Sequence, residues 1–198
     1  FSLGSVLVSF ELFTYFVVAR LSFSVLLLYA MGAQTVIFGY LLARLIDWKK
    51  QFLFSLRKED SAQIIISLVI IFLLATSFLF AIAKPPVAFD SITFWSARAK
   101  ILLAQGRVDF DPHSDTYLAA FSLRNYPWHL SLLEYWYRIL GASGALVNVI
   151  SWSYFAATAI VLLEAGRRWL GAWQGKVFAL VFVSMPFMFY HSYNNYAD

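Results

Sequence analysis

A lone carboxylate stands where an oily segment ends. The stretch "AKPPVAFDSITFWSARAK" (83–100) follows twenty residues without a charge, and Asp90 comes a few residues after Pro85 and Pro86. A carboxylate there, at the mouth of a helix bundle, can take a proton from a hydroxyl. It can equally cap the helix that follows, and the two roles can coexist. Asp198 closes "SYNNYAD", the polar end of the last apolar run, where Asn194 and Asn195 also lie. These read either as polar contributors to the same cavity or as solvated loop residues. Glu134 lies four residues before Arg138, a spacing that suits both an interfacial ion pair and a charge facing a wet cavity. Arg98, Lys100, Arg124, His129 and His191 are cations that can meet a phosphate group or bulk lipid headgroups. In "DFDPHSD", Asp109, Asp111, His113 and Asp115 alternate. Hard oxygen ligands in that pattern fit Ca²⁺, Mg²⁺ or Mn²⁺. The run lacks the glycine and distal Glu of an EF-hand loop, and a solvated turn is the plainer reading. No Gly-rich phosphate loop, Ser–His–Asp signature or zinc spacing occurs.

The elements that must position these residues are membrane helices. The 198 residues are 61% hydrophobic and 13% charged, against about 25% charged in soluble domains. Cysteine is absent, which excludes disulfides, thiolate metal sites and a cysteine nucleophile. The net charge of +4 says less than the placement of Lys and Arg. Apolar runs at 1–19, 21–43, 64–83, 144–163 and 177–193 each approach the length needed to cross a bilayer, about 20 residues. The loops "DWKKQFLFSLRKED" and "EAGRRWLGAWQGK" concentrate Lys and Arg and read as cytoplasmic. Residues 84–143 then fall outside. They carry six basic residues, but the rule weakens in a segment of that length.

The expected organisation is all-α and polytopic: two N-terminal spans in 1–46, a cytoplasmic loop at 47–61, and a module from 62 to 198 with 84–143 as its outer loop. Two amphipathic helices are expected within that loop. In the first, Ile92, Trp95, Ala99 and Leu102 form an apolar stripe, with Thr93, Ser96 and Lys100 on another face. In the second, 126–140, Ser131, Glu134 and Arg138 share one face beside the aromatic run Tyr135–Tyr137. That pattern suits a helix lying in the interface. A chain that begins at Phe1 and ends on a polar run reads as a piece of a longer protein.

The order of these features resembles the GT-C glycosyltransferases, polytopic enzymes that take a sugar from a polyprenyl-phosphate carrier. The likeness is to the bacterial branch related to protein O-mannosyltransferases and the aminoarabinose transferase of lipid A. It rests on "FDSITFWSARAKILLAQGRV", then "RNYPWHLSLLEYWYRILG", then "GRRWLG", then the polar end "FYHSYNNYAD". It covers roughly 64–198. Its "YPW" departs from the "PP" of many relatives, and the two spans before residue 47 have no counterpart in the argument.

The resemblance implies an inverting transferase at the extracytoplasmic face of a bacterial plasma membrane. Asp90 would be the general base on an acceptor hydroxyl. Asp198, Asn194 and Asn195 would orient a sugar. Arg124 and His129, flanking the Tyr-Pro, would contact phosphate, with Glu134 in the same cavity. It implies no obligatory metal or other cofactor. The expected partners are the lipid-linked donor, a lipid, glycan or protein acceptor and the bilayer, with no nucleic acid. A transporter of lipid-linked sugars and a non-catalytic membrane subunit of this fold are the alternatives.

Overall fold

The computed structural model describes residues 2–18, 29–34, 36, 37, 40, 60–85, 91–107, 113, 128–142 and 144–194. Its described elements are helical. In chain order they are α1 (Ser2–Phe13, continued by a wider π-type turn Thr14–Val18), α2 (Ser61–Ala83) and α3 (a π-type turn Ser91–Ser96 leading into Ala97–Gln105). After these come α4 (His129–Ile139), a 3₁₀ turn Leu146–Asn148 opening α5 (Val149–Trp169), α6 (Ala172–Ser184) and α7 (Pro186–Ser192).

Ser61–Ala83 and the continuous Leu146–Trp169 are long and apolar enough to cross a membrane. Ala172–Ser184 and Pro186–Ser192 make a third span if taken as one, but they are bent by 70° at their junction. The chain is therefore a membrane protein, with two or three such helices among the described residues. The run expected at 177–193 as one straight span is broken. The cause is local: Pro186 has no N–H to continue α6, and Met185 before it is extended, at ψ 120°, as residues preceding proline tend to be. Proline then suits the first turn of α7.

α2 begins at Asp60, whose Oδ1 accepts the Gln63 amide at 2.8 Å. Within α2 the hydroxyls of Ser67, Thr76 and Ser77 donate to carbonyls of the preceding turn, so these polar side chains need no external partner. Ile65, Leu68, Phe72 and Leu79 are exposed, an apolar face matched to lipid rather than water. The opposite face carries Ile70, which packs with Phe155 and Ala159 of α5 and with Ala179 and Val183 of α6.

α5 and α6 form an antiparallel hairpin. It turns through Gly171, whose φ of 120° favours glycine. The helices then approach so closely that side chains are excluded where they cross. A Cβ added at Gly166 would lie 2.6 Å from the Gly175 Cα, and one at Gly175 would meet the Leu163 carbonyl oxygen and lie 2.6 Å from the Arg167 amide nitrogen. Near the same end Lys176 is buried and donates to the Gln63 carbonyl at 3.3 Å. This tie fixes α6 to the start of α2. It also puts the α5–α6 turn at the end of the bundle where the chain enters α2, as the charge pattern of the two basic loops requires.

α1 packs on α4 and α3. Leu12 and Phe16 are buried with Ala99, Leu102, Leu132 and Tyr135, and the Ser9 hydroxyl donates to the His129 carbonyl at 3.3 Å. A second cluster joins Trp95, Leu130 and Leu133 to Val147 and Ile150 at the start of α5. The helices of the 84–143 segment thus sit on one end of the bundle.

Gly175→Val places methyl groups where backbone already lies. The expected loss is at least that of an overpacked core, about 1–3 kcal/mol, read as a lower unfolding midpoint of the detergent-solubilised protein. Gly144→Val, with nothing within 4 Å of its Cβ position, is the control and leaves the midpoint nearly unchanged.

Candidate functional site at the Lys84 end of the bundle

The structure gathers three chain segments at the end of α2. Backbone helicity stops at Lys84, and the Asn148 side-chain amide, fully buried, donates to the Lys84 carbonyl at 2.9 Å. A helix end leaves carbonyls without intrahelical partners, and Asn148 satisfies that of Lys84, the residue that ends α2. The same bond aligns the end of α2 with the start of α5. The Lys84 ammonium lies 4.5 Å from the Phe80 ring centroid and 5.5 Å from that of Tyr193. Phe80 also packs on Phe189 and Tyr193, at 6.4 and 5.4 Å between centroids. The 70° bend at Pro186 is what returns α7 and Tyr193 to this end.

Asn194 follows at once and is buried. Its Nδ2 donates to the Tyr190 carbonyl at 3.0 Å. Its Oδ1 is buried and has no hydrogen-bond partner among the described residues. The amide orientation is fixed by chemistry, since only the NH₂ group can serve a carbonyl. Burial, and then neighbouring Tyr190, push the Tyr193 hydroxyl above its ordinary pKa, so it remains a neutral phenol.

His129 opens α4, and its Nε2 lies 2.7 Å from the Tyr154 hydroxyl of α5. Burial lowers its pKa below the ordinary value, so the imidazole is mainly neutral at pH 7. A neutral ring serves as a hydrogen-bond partner and not as the cation expected to hold phosphate. Glu134 is fully buried and accepts from Arg138 Nε at 2.9 Å and Nη2 at 2.6 Å. The expected pair is thus present, but its setting differs from the surface helix foreseen. Residues 130–135 are all buried, Ser131 and Glu134 included, because α1 and α3 enclose α4. A polar stripe marks the side that avoids apolar surroundings, and here that side faces protein.

In α3, Trp95, Ala99 and Leu102 are buried as the apolar stripe requires, while Ile92 is 49% exposed. Ser96 is buried against expectation. Arg98 is buried too, its guanidinium 5.2 Å from the Trp128 ring centroid. Burial lowers its pKa, yet a guanidinium stays charged. Lys100 is exposed. His191 packs on the Phe187 and Tyr190 rings.

Of the expected site residues, the structure brings Asn194 to the Lys84 end and sets His129 on α5, while Glu134 lies in the α1–α3–α4 layer. Asp90, Arg124, Asn195 and Asp198 lie outside the described residues, as do Asp109, Asp111 and Asp115. Among the described residues no group of three or more His, Cys, Asp or Glu side chains could hold a metal ion. Sequence reasoning passed over Lys84, Asn148 and Tyr154. Lys84 was legible as a cation at a membrane exit; Asn148 and Tyr154 were not, because their partners Lys84 and His129 lie 64 and 25 residues away along the chain.

Comparison of the chain with protein-family models, with curated proteins and with solved structures finds no match.

The Glu134–Arg138 pair gives a sharp expectation. Arg138→Met strands a buried carboxylate and costs about 3–5 kcal/mol, whereas Glu134→Leu with Arg138→Met recovers most of that loss. Thermal unfolding of the three proteins in detergent checks it.

Proposed function

We propose that this chain is part of a membrane glycosyltransferase of the GT-C type. It moves a sugar from a polyprenyl-phosphate carrier to an acceptor hydroxyl at the extracytoplasmic face of a bacterial plasma membrane. The sequence resemblance over 64–198 is the origin of this reading. The observation that carries it furthest is the contact of Lys84 with Phe80 and Tyr193. It brings the residues just before Asp90 against those just before Asn194–Asp198, as a single site drawing on both requires.

The chemistry needs little from the protein. A sugar on a lipid phosphate already has a stable anionic leaving group. Asp90, ionised at neutral pH, accepts the acceptor's proton as the hydroxyl attacks the sugar carbon. Cationic and hydrogen-bonding groups receive the departing phosphate. Attack opposite the phosphate inverts the sugar carbon. Asn194, Asn195 and Asp198 orient the sugar, and no metal is required. Arg124 contributes to the phosphate contact. His129 and Glu134 act from behind the site: neutral His129 sets Tyr154, and Glu134 braces α4 through Arg138.

One observation favours a second reading. Helices broken inside a span, as α6 and α7 are at Pro186, are common where transporters bind substrate. A carrier of lipid-linked sugars is therefore the alternative.

Asp90→Asn separates the two. In membranes supplied with radiolabelled polyprenyl-phosphate sugar, the variant should lose transfer by roughly 10²–10⁴-fold, the usual contribution of a general base. Undiminished transfer contradicts the assignment. Movement of the labelled lipid across the bilayer without any transfer by the unaltered protein supports the carrier.

A further inference from the structure

The Lys84 end holds three unlike recognition elements. The first is a charge. Lys84 is exposed at the end of α2, is held by its backbone through Asn148, and has rings rather than a carboxylate as its neighbours among the described residues. The second is a hydrogen-bond acceptor. Asn194 Oδ1 is buried and without a partner among the described residues, while the other half of the same amide is committed to Tyr190. An unmatched buried acceptor is costly, and the surrounding helix gives no return for it. The third is an apolar face. The Tyr193 ring lies 5.5 Å from the Lys84 ammonium and directly precedes Asn194 in the chain, with Tyr190 5.6 Å away between ring centroids.

Each element calls for a different part of a ligand. An exposed ammonium with no carboxylate against it among the described residues calls for an anion. An amide oxygen calls for a hydroxyl or amine donor, not another oxyanion. An aromatic ring favours the C–H face of a pyranose or cyclitol over a bare inorganic ion. We propose that Lys84, Tyr193 and Asn194 form a binding site for the phosphate ester of a polyol, such as a sugar phosphate. The phosphate sits on Lys84, a hydroxyl donates to Asn194 Oδ1, and the ring carbons lie on Tyr193. The assignment deepens the transferase reading by naming the groups that recognise its ligand, and it rests on that reading only for its role in turnover. The same chemistry could arrive as the headgroup of a membrane lipid or as a free sugar phosphate.

Isothermal titration of the full chain in detergent tests this with glucose 1-phosphate, inorganic phosphate and glucose. Nanodiscs of phosphatidylcholine with and without phosphatidylinositol provide the lipid arm, read by native mass spectrometry. Glucose 1-phosphate should bind more tightly than either inorganic phosphate or glucose. Lys84→Gln should weaken it at least tenfold and Lys84→Arg by less. Asn194→Leu should weaken glucose 1-phosphate several-fold while leaving inorganic phosphate unchanged, a difference that misfolding would not produce. Binding of phosphatidylinositol but not glucose 1-phosphate, lost in Lys84→Gln, assigns the site to a lipid headgroup. Affinity indifferent to Lys84→Gln, equal binding of glucose, or no binding of any probe overturns the proposal. Asp90→Asn should keep the binding. Lys84-dependent binding without transfer activity would remove the transferase reading and leave the site standing. Asp90-dependent transfer with no effect of Lys84→Gln would do the reverse.

Discussion

A helix that leaves a membrane must find partners for the backbone groups it bares there, because hydrocarbon offers none. In this chain the demand falls on Lys84, where two prolines stop α2. Asn148 meets it with one side-chain amide at 2.9 Å. From that bond the rest of this end follows. α5 must start level with the end of α2, the α3–α4 layer must close over both, and α6 must run back alongside. The opposite end is fastened by Lys176 on the Gln63 carbonyl and by glycines that let α5 and α6 touch backbone to backbone. With both ends fixed, the bend at Pro186 has one consequence for the site: the rings of α7 arrive beside Lys84.

Several charged and polar side chains in this fold face protein. Glu134 and Arg138 pair inside the α1–α3–α4 layer, Arg98 lies against Trp128, and His129 meets Tyr154. Each is a group whose exposure to lipid would be costly. Such pairs define where α4 sits more than they add to stability, since a buried ion pair repays its desolvation only in part. The Lys84 end differs. There a cation and an amide oxygen have no matching groups among the described residues, and that asymmetry is the basis of the proposed binding site.

Much of the architecture was legible in the sequence. Uncharged runs marked α2 and α5 to within a few residues, because about 20 apolar residues admit few other structures. The stripe Trp95–Ala99–Leu102 gave the buried face of α3. Three features were not legible. The period of α4 revealed a polar face, but periodicity cannot say whether that face meets water or another helix; α1, remote in sequence, decided it. The size of the α6–α7 bend depends on what α7 packs against, here Phe80. The role of Lys84 depends on Tyr193 and Asn148, which lie far along the chain. The four site residues outside the described segments, Asp90, Arg124, Asn195 and Asp198, rest on the sequence resemblance.

The central claim is that the end of α2, the start of α5 and the end of α7 meet at one face. The chain has no cysteine of its own, so paired substitutions report on it directly. Lys84→Cys with Tyr193→Cys, treated in native membranes with a short thiol-reactive bis-maleimide, should cross-link in high yield. Lys84→Cys with Trp169→Cys, at opposite ends of the bundle, should not. Cross-linking of the second pair and not the first would contradict the account.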